Sequence, residues 1–125
     1  MLIAIGIFLL LHGFAHAVGF LGPWGLAENV TPPTALLAGR LPMSPAIMRF
    51  VGILWLLNGM AFAAAGVGAF RHMPWWPTVM ITAAIASLLL SILSLPGSKL
   101  GIPLNLLIIG GFLFAGPSGF LTHRT

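Results

Sequence analysis

Two histidines four residues apart, His12 and His16, stand inside the apolar run Leu9–Phe20, LLLHGFAHAVGF. Residues at i and i+4 of a helix lie on one face, one turn apart. An imidazole pair so arranged suits four kinds of work. It can ligate a metal: the stretch His12-Gly-Phe-Ala-His16 has the spacing of a zincin helix, although Gly13 stands where that motif has its glutamate. It can give one axial ligand to a haem, with Met60 or Met80 opposite. It can hydrogen-bond a quinone carbonyl between apolar walls. Or both rings can bond to Ser, Asn or backbone carbonyls of other helices and tie them together. No third metal ligand is expected nearby, because His72 and His123 fall at the interface on the side of the termini, too far in depth to join His16. Histidines on consecutive turns of one helix cannot bracket a haem. Helix tie comes first, quinone binding second, metal or haem third.

Few other polar residues could share that level. At about 1.5 Å per residue, His12 lies about 16 Å in from Met1, and Asn58 about 18 Å back from Phe70. Ser87 and Ser91 bracket the same depth on the next helix. The predicted polar layer is therefore His12, His16, Asn58 and Ser91. An ionisable group at such depth should face the interior and marks a candidate site. Burial disfavours the charged ring, so both imidazoles are expected to be neutral. Arg49 lies nearer the long first loop and joins the candidate ligand-binding residues. Its expected partner is Glu28, the single acid of the chain; the alternative is that it snorkels to headgroups. Ser87, Ser91 and Ser94 share a face with Ala83 and Ala84, which reads as helix contact with the hydroxyls bonding back to their own carbonyls. Asn105 reads as part of the first turn of its helix. No catalytic residue is assigned.

These residues need a scaffold, and composition names its solvent. Of 125 residues, 59% are hydrophobic and 5% charged, with a mean hydropathy of +1.12. A soluble domain carries about 25% charged residues, so this chain is expected in lipid. The net charge of +4 comes from five Lys/Arg spread singly at segment ends, which gives no face for nucleic acid. The absence of cysteine excludes disulfide exchange, thiolate metal sites and iron–sulfur clusters. The first segment is expected to remain as a membrane helix, because it lacks the basic start of a signal peptide.

A spanning helix needs about 20 apolar residues. Four are predicted, over 1–21, 45–70, 77–95 and 103–121, forming one all-α transmembrane domain, an antiparallel four-helix bundle with a long first loop. Pro23 with its flanking glycines ends the first. Ser44 and Pro45 start the second as N-cap and first helical residue. Trp75 and Trp76 suit the interfacial belt before the third. Gly116 and Pro117 predict a kink or early stop in the fourth. Gly6 and Gly13, and Gly52, Gly59 and Gly66, recur every seven residues, the pattern of close helix contact in membranes. The apolar stretch Thr34–Leu41 within loop 1 predicts an ordered cap over one mouth of the bundle, with Glu28 within salt-bridge reach of Arg49 or Arg40. Arg71 and Arg124 fall on the side of the termini; Arg40, Arg49 and Lys99 fall on the other.

With four spans and GIFLLLHGFAH in the first helix, the chain resembles the DoxX-like family of small bacterial membrane proteins, many of which carry Gly-x-x-His or His-Gly-x-x-His there. The motif likeness touches His12, Gly13 and His16. The resemblance implies a multi-pass protein of the bacterial inner membrane with both termini cytoplasmic. It further implies a subunit or accessory of a membrane redox assembly, as a homo-oligomer or within a larger complex. Quinone is the cofactor expected from this reading, ahead of haem or metal. The competing functions are a small oligomeric transporter and a purely structural membrane subunit.

Overall fold

The computed structural model of the chain describes residues 1–121; His123 and Arg124 lie outside the described residues. Five helical segments account for most of it: α1 (Leu2–Ala15), α2 (Ala17–Leu21), α3 (Pro45–Phe70), α4 (Trp76–Leu93) and α5 (Gly101–Leu121). Leu2–Leu21, Pro45–Phe70 and Trp76–Leu93 are long and apolar enough to cross a membrane. The fourth predicted span falls short of that length. Its apolar helix covers Gly101–Gly116, about 24 Å at 1.5 Å per residue. The predicted kink has a backbone cause: within α5 Gly116 adopts φ 69° and ψ 164°, a conformation open essentially only to glycine, and the helix resumes to end at Leu121, as predicted.

Local chemistry sets the other boundaries. The Ser44 hydroxyl accepts from Ile47 N–H at 3.3 Å, and Pro45 follows in the first turn of α3. The first helix is broken at His16, where His16 N–H donates to Gly13 O at 3.1 Å and Gly19 N–H to His16 O at 3.0 Å. These i-to-i+3 bonds tighten the helix for one turn.

The glycines at heptad spacing meet. A Cβ placed on Gly13 would stand 2.6 Å from the carbonyl oxygen of Gly59, and one on Gly59 would stand 2.6 Å from that of Gly13. Gly6 approaches Gly66 and Phe70, and Gly19 lies against Trp55. The α1–α2 segment therefore packs backbone to backbone along α3, its start against the end of α3. Next, α3 packs on α4, and α4 on α5. The main core gathers Leu9, Phe62, Ala65, Ala69, Trp76, Met80, Ala83, Ala84 and Ile108.

Loop 1 folds over one end. Ala35–Leu36 (β1) pairs antiparallel with Leu41–Pro42 (β2), and the turn between them takes Leu37, Ala38 and Gly39 to φ 51°, 56° and 84°. This turn presents two N–H groups to the end of α4: Leu37 to Leu93 O at 2.8 Å and Ala38 to Leu95 O at 3.1 Å. Carbonyls there have no partner within the helix itself. Leu36 is buried beneath, with Met48, Val51, Trp55 and Leu90.

The expected Glu28–Arg49 pair does not form. Glu28 is exposed and makes no ion pair among the described residues. The Arg49 guanidinium instead lies 5.6 Å from the ring centre of Trp24, whose indole N–H donates to Arg49 O at 3.1 Å. The turn after α2 brings Trp24 onto the first turn of α3, and an exposed ion pair would gain only about 0 to 1 kcal/mol in competition with it. Glu28→Gln should therefore change thermal stability in detergent by less than ~0.5 kcal/mol; a larger loss would show a carboxylate contact that matters.

Candidate functional site

His12 and His16 both turn inward, 7% and 3% exposed. Their ring planes are nearly perpendicular, 74° apart with centroids at 4.9 Å. Aromatic side chains wall them in. Phe62 meets His12 edge-on at 4.6 Å and His16 at 5.2 Å. Phe8 stacks on His12 at 5.8 Å, and Trp55 lies 5.0 Å from His16.

The polar partners come from three other helices. Asn105 Oδ1 is 3.2 Å from His12 Nε2. Ser87 Oγ is 2.8 Å, and Asn58 Nδ2 3.3 Å, from His16 Nε2. Asn105 Nδ2 reaches both Ser87 Oγ and Gly101 O at 2.7 Å. His16 Nδ1 lies 2.8 Å from His12 O. Asn58 Nδ2 also reaches Ala83 O at 3.1 Å.

Three backbone carbonyls fix the direction of every bond, because a carbonyl only accepts. His12 O requires a proton on His16 Nδ1, so in the neutral ring Nε2 accepts. Ala83 O fixes the Asn58 amide, whose NH₂ donates to that Nε2. Gly101 O fixes the Asn105 amide with its NH₂ toward Ser87. Asn105 Oδ1 then accepts from Nε2–H of His12. The Ser87 hydroxyl accepts from Asn105 and donates to His16. The result is one directed cycle: His12 ring to Asn105, to Ser87, to His16, and back to the His12 carbonyl. The two histidines hold opposite tautomers. Bonds aligned head to tail polarise and strengthen one another in a low-dielectric interior.

The cycle uses both nitrogens of His16, the whole Asn105 amide and the Ser87 hydroxyl. A metal at His16 Nε2 would have to displace Ser87 and Asn58. Nδ1 of His12 is left without a hydrogen-bond partner among the described residues. With the proton held on Nε2, that atom is an acceptor. Among the described residues no group of three His, Cys, Asp or Glu comes together.

Sequence reasoning placed some of these residues differently. The structure brings His12, His16 and Asn58 together but not Ser91. Ser91 is fully buried, and its hydroxyl has no partner among the described residues; it faces the close approach of Gly101. Ser87, one turn earlier, takes the histidine. The expected back-bonding is also absent from these serines: Ser87 serves His16 and Asn105, and Ser94 Oγ accepts from Trp55 Nε1–H at 3.2 Å. Donors and acceptors from other helices reach them first. Arg49 lies outside the cluster, on Trp24. Asn105, read as a first-turn residue, is the fully buried hub, because α5 begins two residues earlier than predicted and faces α4 from its first turn.

No family model, curated protein or solved structure matches the chain.

Proposed function

We propose that this chain is an integral membrane protein of the bacterial inner membrane. Its helices run antiparallel across the bilayer, with α5 as the shortest crossing and both termini cytoplasmic. It works as a membrane-embedded subunit or accessory of a redox assembly, of DoxX-like type, and takes a quinone-class molecule on the His12 side of its polar layer. One observation carries the ligand reading. His12 is the histidine with a ring nitrogen still open, and it stands one helical turn from an apolar cleft. The membrane reading rests on the inward turn of the buried polar groups beneath an apolar exterior.

The closed hydrogen-bond cycle favours a second reading, a purely structural subunit in which the layer only ties helices together. Anaerobic binding of a short-tailed benzoquinol to the protein in lipid nanodiscs separates the two. The ligand reading expects saturable binding that His12→Leu weakens about tenfold while the protein keeps its helical circular dichroism. The structural reading expects no saturable binding, with His12→Leu only lowering thermal stability, by about 1–3 kcal/mol, because Asn105 Oδ1 loses its donor.

A further inference from the structure

The four-sided arrangement of helices is closed unevenly. Side-by-side packing joins α1 to α3, α3 to α4 and α4 to α5, but α1 and α5 make no comparable packing. The His12–Asn105 hydrogen bond crosses that fourth side. One turn along from it lies an open-sided apolar cleft of about 180 Å³, lined by Ile5, Phe8, Leu9, Met80, Leu107, Ile108 and Gly111. Phe8 precedes His12 by four residues and stacks on its ring. Leu107 and Ile108 follow Asn105 by two and three. The polar pair thus stands one turn beyond the end of the cleft, on the two helices that wall it, and neither residue lines it.

Size and shape restrict the occupant. An apolar cavity of about 150 Å³ is known to take benzene. Each wall here spans little more than one turn, about 5.4 Å of helix. An extended acyl chain needs a groove running over several turns; a compact ring does not. The tautomer lock restricts the polar group. Nε2 of His12 is committed to Asn105, whose amide is pinned by Gly101 O. The open Nδ1 can only accept, so the matching group on a ligand is a hydroxyl, not a carbonyl.

We propose that the α1–α5 cleft binds a compact aromatic ring bearing a hydroxyl, a quinol-class molecule that enters sideways from the bilayer and donates its hydroxyl proton to His12 Nδ1 in a hydrogen bond. This rests on the quinone-class reading above and adds its place and its preferred redox form.

Two glycines of α5 provide a matched test. A Cβ on Gly110 or on Gly111 meets nothing within 4 Å, so either position accepts a larger residue, yet only Gly111 lines the cleft. A short-tailed benzoquinol carrying a diazirine is photolysed, anaerobically, with the protein in phosphatidylcholine nanodiscs, and the labelled residues are located by mass spectrometry. Labelling is expected on the cleft walls, at Phe8, Met80 and Leu107. It should fall at least tenfold in Gly111→Leu and stay unchanged in Gly110→Leu. The quinol should bind about tenfold more tightly than the matching quinone, one hydrogen bond's worth, and His12→Leu should remove that preference. Equal labelling in the two glycine variants would overturn the cleft. So would equal labelling of its walls by a phosphatidylcholine with the diazirine in its acyl chain. Tighter binding of the quinone would overturn the hydroxyl assignment. Saturable labelling elsewhere sinks the cleft and leaves the quinone-class reading standing; no saturable labelling anywhere sinks both.

Discussion

Gly59→Ala should destabilise the protein by about 2–3 kcal/mol in detergent, whereas Gly110→Ala should be neutral or stabilising by up to about 1 kcal/mol. Both add one methyl to a helical glycine, and alanine is the better helix former by about 1 kcal/mol. The surroundings decide the sign. The new methyl at Gly59 would stand 2.6 Å from Gly13 O and 2.9 Å from His16 Cβ. A backbone carbonyl cannot rotate away as a side-chain end can, so α1 as a whole must retreat. Overpacking typically costs about 1–3 kcal/mol. The retreat also carries His16 away from Ser87 and Asn58, which adds broken hydrogen bonds to the cost. At Gly110 the methyl meets nothing within 4 Å, and only the propensity gain remains. Equal thermal stability of the two variants would show that α1 and α3 are not in backbone contact.

That contact was legible in the sequence, and the reason is physical. Glycines at seven-residue spacing have little use in a helix except to let another backbone approach. The histidines were legible for a similar reason. Two ionisable rings on one face of an apolar helix have few places to go but inward. Depth counting then found Asn58 but chose the wrong serine. Ser87 and Ser91 are one turn apart on one face, so distance from a helix end cannot separate them. The α4–α5 turn separates them. Gly101 closes on Ser91, and Asn105, four residues on, meets Ser87. Asn105 was missed because the helix was started at Pro103, which put it at the membrane edge. Its one available signal was the amide itself, alone in a run without charge, four residues after a glycine whose carbonyl it could take. The Glu28–Arg49 pairing failed because it matched charges by scarcity and ignored Trp24. The end of the fourth helix was legible too: Gly116-Pro117 marked the kink, and α5 ends beyond it at Leu121.

The hydrogen-bond cycle makes its own prediction about the residue that sequence passed over. Asn105→Ala should cost about 2–3 kcal/mol, and Ser91→Ala should cost nothing or stabilise by up to about 1 kcal/mol. Both residues are fully buried, both lie at the contact of α4 with α5, and both are polar, so burial and location do not separate them. Bonding does. Asn105 holds His12, Ser87 and Gly101 O. Its removal strands the Nε2–H of His12, and a buried donor left without a partner costs about 1–3 kcal/mol. The Ser91 hydroxyl has no partner to lose among the described residues, and removing an unsatisfied buried polar group is favourable. Thermal unfolding gives the energies. Nitrogen-15 NMR of the two imidazoles gives the mechanism, because the tautomers report the cycle directly. In the native protein His12 should carry its proton on Nε2 and His16 on Nδ1. In Asn105→Ala, His12 should lose that preference, since nothing any longer accepts at Nε2. His16 should keep its proton on Nδ1, because the His12 carbonyl that holds it is untouched. A His12 tautomer unmoved by Asn105→Ala, or a loss on Ser91→Ala as large as that on Asn105→Ala, would break the cycle at its first link.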